Sequence, residues 1–473
     1  MTDRWENQQE AFEFALRHPQ CMLDMEMGTG KTRVAIDVAF ARNDVRRILV
    51  VCPKAVVPVW RENLDKFYHN DSTWDYWRCW DQQKGSVKTK YESLREFVGA
   101  RLNVFTKQFV IINYDSVWRA PMGDMILRVG FDMVILDESH RAKAAGSKVS
   151  KYLAMLGKRI KYKMCLSGTP MANSPLDVYG QYRFLDNTIF GTNYNQFLQE
   201  YAIMGGPERR FIVGFRNQKK LSQKFQQIAY TCKMSDIADR IKLPDALPPT
   251  KRMVQLPASD MRTCRELADD FIAECGTSNV VVKNVLGKMM RLQQIASGYC
   301  VVQDSPMDAP REEELNTAKE GALADMLEDI SPEAPVVVFC VFRHDLNAIA
   351  RAAGKAKREA FEISGSQNQL TEWKSSRGGV LAVQIQAGAE GIDMTNSHHA
   401  VYYSIPHSLA LYNQSKARLY RPGQKNPVMF CHLLAEGTID VAMYKALIKK
   451  EDVIESIKNG TFDYGFMKGK QTD

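Results

Sequence analysis

Ten cysteines are scattered over 473 residues without a single C-x-x-C pair. That absence removes the usual spacing of a zinc site or a dithiol redox pair. Cys52, Cys165, Cys340 and Cys431 sit inside apolar, strand-like runs, which reads as reduced, buried thiols in a cytosolic protein. No apolar run reaches membrane-spanning length, and Met1-Thr2-Asp3-Arg4-Trp5-Glu6 has no secretory-leader pattern. A cytoplasmic location and no membrane partner are therefore expected. Low-complexity tracts and short-period repeats are also missing. One-signed charge is scarce as well: 63 Lys+Arg against 55 Asp+Glu leave +8. This permits a polyanionic partner without requiring one, and solvated surface charge is the simpler account.

The remaining composition, 45% hydrophobic and 25% charged, is that of a globular chain able to bury substantial cores. Its length exceeds one typical core, so two domains or three are expected.

A local absence marks the most informative stretch, Met25-Glu26-Met27-Gly28-Thr29-Gly30-Lys31-Thr32. Met25 stands where phosphate-binding loops carry their first glycine, five residues before Gly30. The apolar run Cys21-Met22-Leu23 enters this stretch and the helix-like run Val34 to Phe40 leaves it. Strand, glycine turn, Lys-Thr and helix form the order a phosphate cradle needs. Glycine lets backbone N–H groups turn toward an anion, and the helix N-terminus adds its positive dipole end. Lys31 would reach the β and γ phosphates of a nucleotide, and the Thr32 hydroxyl would hold magnesium.

Before the loop, Trp5 to Leu16 has helical spacing and carries Gln8, whose amide pairs a donor with an acceptor as an adenine edge requires. After it, Arg46 to Pro53 reads as a buried strand ended by proline, with Lys54 at its C-terminal end, where open α/β sheets place ligands. Trp74, Tyr76, Trp77 and Trp80, interleaved with Arg78 and Lys84, either stack bases or pack an irregular excursion. Phe109 to Tyr114 is another strand. Phe131 to Leu136 is a strand that delivers Asp137 and Glu138 at its tip, followed by Ser139 and His140. In P-loop nucleotidases this is the place of the second magnesium-holding aspartate and of the residue that polarises the attacking water. Cys165-Leu166-Ser167-Gly168-Thr169-Pro170 ends a further strand, and Ser167 and Thr169 are either turn residues or couple the nucleotide site to a bound partner.

This first half alternates strand and helix, the pattern of a parallel sheet covered on both faces. From Leu176 to about Arg240 aromatic residues at helical spacing suggest a helical insertion. Leu243 to Pro249, with three prolines, suits a stiff linker. A second α/β unit follows: a mainly helical stretch over 258–298, a helix over 319–330, strands over 335–340, 380–384 and 400–404, and a glycine-bearing turn over 386–394. It has no Gly-Lys-Thr loop, so one nucleotide site is expected. Arg418 and Arg421 are three residues apart, which puts both guanidiniums on one face of a helix. Two such cations can neutralise charge developing on a γ-phosphate, or simply end a solvated basic helix.

In order and spacing, these motifs resemble the series of superfamily-two helicase-type motors over about residues 5–445. Three details resemble the Swi/Snf-type branch in particular: Glu26-Met27-Gly28 before Gly-Lys-Thr, Cys-Pro-x-x-x-Val-x-x-Trp ending at Trp60, and Arg421-Pro422-Gly423-Gln424. The segments Leu176 to Phe184 and Gln293 to Gly298 resemble that branch as well, and in it a methionine at the position of Met25 is ordinary. The resemblance implies an α/β fold of two RecA-like parallel-sheet lobes in tandem with a helical insertion. The first lobe would span 1–240 with the insertion at about 171–240, a linker 241–257, and the second lobe 258–473.

It further implies a DNA-stimulated ATPase that uses ATP and Mg2+. Met27, Gly28, Thr29, Gly30, Lys31, Thr32 and Asp137 would bind the nucleotide, with Thr32 and Asp137 on the metal and Gln8 on adenine. Glu138 and Lys31 would be catalytic, Arg418 and Arg421 would serve as arginine fingers, and Gly391 and Asp393 would lie near the nucleotide. Lys54, Asn113 and Gln386 fall in motifs that touch the nucleic-acid backbone. Glu390 departs from the small or apolar residue usual at its position. The chain resembles the compact motors of bacteria and phages, with no appended reader or nuclease module. A monomer in a bacterial or infected-host cytoplasm is expected, targeted by an unidentified protein partner if at all.

The implied activity is translocation on double-stranded DNA without obligatory strand separation. A strand-separating DNA or RNA helicase is the alternative of the same chemistry. A nucleotide-regulated interaction module with little turnover is the alternative of another class.

Overall fold

The computed structural model describes residues 4–449 and 453, apart from 69–76, 83–84, 102–105, 172–173, 206–210, 238–241, 245–246, 276–281, 303–310 and 389–391. The chain divides into two compact units, Met1–Lys242 and Leu243–Asp473.

The first unit is built on a seven-stranded sheet. Its strands are β1 (Gln20–Met25), β2 (Arg47–Cys52), β3 (Trp77–Asp81), β4 (Lys107–Asn113), β5 (Met133–Asp137), β6 (Tyr162–Ser167) and, after a hairpin of β7 (Ala202–Gly205) with β8 (Phe211–Phe215), β9 (Ala229–Cys232). They lie in the order β3-β4-β2-β5-β6-β1-β9, and all the pairings are parallel. Parallel strands need helical crossovers, which bury both faces of the sheet, and so β2, β4 and β5 read as unbroken runs of Val, Ile and Leu. Leu49, Val51, Val110, Ile112, Val134 and Leu136 belong to one core under the helices.

Three helices of this unit frame the glycine loop and the strand tips: α1 (Glu6–Arg17), α2 (Lys31–Ala41) and α3 (Val57–Phe67). The insertion is helical at first, through Val178–Leu185 and Tyr194–Tyr201. A further helix, Gln218–Gln226, belongs to it, but the expected helical insertion also contains strands. The β7–β8 hairpin is antiparallel, and β9 joins the main sheet beside β1. The β-branched and aromatic residues of Phe211–Phe215 and Ala229–Cys232 favour strand once a neighbouring edge is available.

The second unit has six parallel strands: β10 (Thr250–Val254), β13 (Val336–Cys340), β14 (Ala360–Ile363), β15 (Val380–Gln384), β16 (His399–Tyr402) and β17 (Met429–Ala435). A separate antiparallel pair is formed by β11 (Tyr299–Val302) and β12 (Arg311–Glu314). The sheet order is β10-β17-β16-β13-β15-β14. Alternation in β13 and β15 sends Val337, Phe339, Leu381 and Val383 into one core and Val336, Val338, Val380 and Ala382 into another. That is the two-sided burial expected of an α/β sheet. Within the stretch read as a linker, Thr250–Val254 forms the edge strand β10 on β17. Its single core residue, Val254, left little periodic signal.

Among the described residues no helix is long and apolar enough to cross a membrane. Cys52, Cys165, Cys340 and Cys431 are buried free thiols.

Candidate nucleotide site

The loop between β1 and α2 is shaped by its glycines. Gly28 and Gly30 have φ of +85° and +94°, a region that side chains with Cβ avoid. Gly30 is the N-cap of α2, so the helix begins at Lys31. The loop is braced from three directions. Asn7 Nδ2 donates to Thr29 O at 3.1 Å. Thr29 Oγ1 donates to Glu26 O at 2.7 Å. Gly168 backs onto Met25 O and Glu26 Cα, leaving 3.2–3.3 Å for any Cβ placed there. Lys31 is buried, and its Nζ donates to Met25 O at 2.8 Å and Glu26 O at 3.4 Å. Its ammonium is thus held on the loop's own carbonyls, inside the turn that an anion would fill. Thr32 is half-buried one residue further along α2.

The strand β5 ends at Asp137, a buried carboxylate. Trp60 Nε1 donates to its Oδ2 at 2.8 Å, and the Glu138 backbone N–H donates to its Oδ1 at 3.0 Å. Burial pushes the Asp137 carboxyl up, to about 6, and the neighbouring Glu138 charge pushes it the same way. Trp60 and Lys31 act against them. Glu138 has φ +48°, in the left-handed region, a strained position for a residue of its kind. Among the described residues its Oε2 is buried with no hydrogen-bond partner, although His140 Nδ1 stands 3.4 Å away at ion-pair distance. Burial lowers the His140 pKa against the pull of Glu138, so the imidazole offers Glu138 little positive charge. His140 Nδ1 also lies 3.3 Å from Ser167 Oγ.

This arrangement fits magnesium nucleotide. Two adjacent carboxylates, one buried and one with an orphaned oxygen, repel each other and are relieved by a divalent cation. Thr32 and Asp137 are the residues that would hold it. Gln8, expected on adenine, lies beside the glycine loop. It is buried on α1 with its amide against Gly30, and its Oε1 accepts from the Trp5 N–H.

The second unit brings together part of its expected set. Asp393 Oδ1 accepts from Thr395 N and Oγ1 at 3.1 and 2.9 Å. Burial pushes its carboxyl up, but these bonds and the Arg421 charge leave it below the ordinary value. The Met394 N–H donates to Arg418 O at 3.1 Å, tying this turn to the arginine segment. The helix Leu409–Lys416 stops before either arginine, so the expectation that both ride one helix face is corrected. Arg418 is buried and Arg421 half-buried in successive turns. Gln424 holds those turns by donating to Ser397 O at 2.8 Å, and Gly423 has φ +102°. Gly391 lies outside the described residues.

The expected nucleic-acid residues differ in setting. Lys54 and Gln386 are exposed at the ends of β2 and β15. Asn113 is buried, and its Oδ1 accepts from Ser116 N at 2.9 Å, so its side chain forms a turn. The base-stacking reading of Trp77 and Trp80 is overturned. Both are buried in β3, their indoles donating to Tyr68 O and Ser93 Oγ. Trp74 and Tyr76 lie outside the described residues.

Several residues had no assigned role at the sequence level. Ser139 Oγ donates to Gln181 Oε1 at 2.6 Å, and Gln181 Nε2 donates to Pro170 O at 2.7 Å. These bonds lock the segment after Glu138 to the strand-end motif at Ser167–Pro170. Trp60 was visible only as the last letter of a motif, with no hint that it reaches Asp137.

These features define a helicase-like ATPase of superfamily two, a class that hydrolyses ATP. Two family models match the chain, the SNF2-related domain over residues 2–297 and the helicase conserved C-terminal domain over 318–423. The chain belongs to the SNF2-related family. It is 24% identical over 474 residues to the mouse (Mus musculus) DNA annealing helicase and endonuclease ZRANB3, covering 96% of this chain and 40% of that protein. It therefore spans less than half the length of that relative. It is 25% identical over 440 residues to putative protein p41 of Acyrthosiphon pisum secondary endosymbiont phage 1, covering 88% and 89% of the two chains. The Sulfolobus solfataricus SWI2/SNF2 ATPase core, solved in complex with dsDNA, aligns over 99% of this chain and 95% of its own, with TM-score 0.44 and 17% identity.

Proposed function

We propose that this protein is a DNA-stimulated ATPase that translocates on double-stranded DNA without obligatory strand separation. The observation that carries the ATPase part is the convergence in one unit of Lys31 and Thr32 at a helix N-terminus with Asp137 and Glu138 at a strand tip. In this reading Lys31 leaves the loop carbonyls for the phosphates of ATP. Gln8 orients the base. Glu138 accepts the proton of the attacking water, and its strained backbone aims the carboxylate. Arg418 and Arg421 are proposed as the cations that neutralise charge on the γ-phosphate. Magnesium, held by Thr32 and Asp137, would supply charge neutralisation on the phosphate oxygens.

The polyanion part is supported by charge. Of the 63 Lys and Arg, 37 lie in residues 1–242 with only 26 of the 55 Asp and Glu, a net +11 against −3 for the remainder. A grip on phosphate backbones is sequence-independent and salt-sensitive. Lys54 and Gln386 are the exposed residues proposed to make it, together with the Asn113 turn. The mouse relative's name, a DNA annealing helicase and endonuclease, supports DNA as the polyanion. The phage relative supports a place in bacterial or infected-host cytoplasm.

The test is the ATPase rate against double-stranded, single-stranded and forked DNA and RNA, beside triplex displacement and fork unwinding. Duplex DNA is expected to stimulate best, and triplex displacement to occur without unwinding. Glu138→Gln is expected to keep nucleotide binding and lose turnover by about 100-fold or more. Equal turnover in wild type and Lys31→Ala would remove the enzyme reading, and robust unwinding of a blunt-flanked duplex would favour the strand-separating helicase.

A further inference from the structure

Asp137 is held by two side chains, one from the helix that follows β2 and one from the end of β4. From α3, which follows the β2 tip and its exposed Lys54, the fully buried Trp60 donates Nε1–H to Asp137 Oδ2 at 2.8 Å. From the residue after β4, adjoining Asn113, the buried Tyr114 donates its hydroxyl to Asp137 O at 2.8 Å. Strand β2 lies between β4 and β5 in the sheet, so the tyrosine reaches over one strand to do this. With the Glu138 N–H on Oδ1, each oxygen of the Asp137 carboxylate has one donor among the described residues, which fixes its plane and leaves a lone pair on each for a ligand.

We infer that Trp60 and Tyr114 are positioning residues for Asp137, and that they join the Lys54 and Asn113 segments to the carboxylate that would hold magnesium. The inference rests on the ATPase reading above and extends it. A buried indole or phenol must find some acceptor; Trp60 takes the Asp137 carboxylate and Tyr114 the Asp137 backbone carbonyl. Here both donors converge on one residue, and both stand on the two segments of this unit that carry the proposed nucleic-acid contacts. A nucleic acid that moves either segment therefore moves the donors on Asp137. This gives a physical route for DNA to alter turnover through two rigid side chains, read out as coupling between the two sites.

The experiment uses the full chain as wild type, Trp60→Phe, Tyr114→Phe and the double variant, with Lys31→Ala as a control. Equilibrium binding of a fluorescent ATP analogue is measured in EDTA and in Mg2+, alongside the fold-stimulation of ATPase by duplex DNA and thermal melting. Hydrogen bonds to charged groups are among the stronger ones. Trp60→Phe is therefore expected to bind the analogue normally in EDTA but to lose about tenfold of the Mg2+-dependent tightening, along with most of the DNA stimulation. Tyr114→Phe acts on the neutral carbonyl and is expected to lose about threefold. The double variant is expected to lose less than the product of the two, because both act on one residue. A purely structural role would lower the melting temperature and leave the Mg2+ ratio and the DNA stimulation at wild-type values, and that result overturns the inference. If Trp60→Phe does not fold, Tyr114→Phe, which removes one oxygen atom, decides the matter by the same two ratios. A wild-type chain whose nucleotide binding equals that of Lys31→Ala would sink the ATPase reading, and the inference with it. Normal wild-type behaviour with unaltered variants sinks the inference alone.

Discussion

The side-chain amide of Gln8 lies so close over Gly30 that a Cβ added there would stand 2.2 Å from Gln8 Nε2. The residue proposed to read the base and the last glycine of the phosphate loop thus occupy one volume. Gly30 also has φ +94°. Gly30→Ala must both strain the loop and displace Gln8, so ATP affinity is expected to fall by more than about tenfold. Gln8→Ala leaves the loop backbone intact and is expected to weaken discrimination of ATP over GTP more than it weakens binding of inorganic triphosphate. Competition binding with the three ligands checks both.

Gly180 permits the helix Val178–Leu185 to press against the segment after Glu138. A Cβ at this position would meet Ala142 O at 2.3 Å and Lys143 O at 2.6 Å, both backbone atoms. Gly180→Ala is expected to destabilise the first unit by about 1–3 kcal/mol, as overpacking does. It is also expected to loosen the Ser139–Gln181 bond. Chemical denaturation, with turnover measured below the transition, reads both effects.

A buried ion pair anchors the second unit. Lys319 Nζ lies 2.6 Å from Asp440 Oδ2, each side chain 1% exposed, and also donates to Tyr403 O at 3.0 Å. Lys319→Met leaves a buried carboxylate uncompensated and is expected to cost about 3–5 kcal/mol. The double variant Lys319→Met, Asp440→Leu is expected to recover much of that, since it removes the orphaned charge. Urea unfolding of the three proteins tests the ordering.

Asp345 is expected to make the stability of the second unit depend on pH. Burial pushes its carboxyl up to about 6, against the lowering effect of the Ser404 hydrogen bond and the Lys319 charge. The folded state therefore holds this proton more tightly than the unfolded chain, whose carboxyl titrates near 4. Ionisation inside the fold carries a penalty that is absent below about pH 4, grows toward pH 6 and is complete above it. Its size is on the order of 2–3 kcal/mol. Relative to Asp345→Asn, the wild-type protein is expected to lose melting temperature between pH 4.5 and pH 7.5. Parallel melting curves of the two proteins across that range would refute it.

The strands of both sheets were legible because parallel strands buried on two faces must be apolar throughout, as in Ile48 to Cys52, Met133 to Leu136 and Val336 to Cys340. Edge strands were not. Thr250–Val254 buries one core residue and passed for a linker, while β9 passed for part of a helical insertion. Arg418 and Arg421 were read on one helix face because three-residue spacing cannot report where the hydrogen-bond ladder stops. Trp77 and Trp80 show the complementary limit, since an aromatic residue among cations has the same letters whether it faces a base or a core.

What the sequence alone determined was chemistry of short range: a glycine turn that needs positive φ, a lysine and a hydroxyl at a helix start, and two carboxylates at the end of an apolar strand. These follow from local backbone geometry and residue type. Only the tertiary structure decided which distant groups complete them. It set Gln8 against Gly30, left Glu138 Oε2 without a hydrogen bond among the described residues, and brought Trp60 from a helix and Tyr114 from a strand end to Asp137. Such contacts depend on sheet order, and the spacing of residues along a chain does not encode which strands become neighbours.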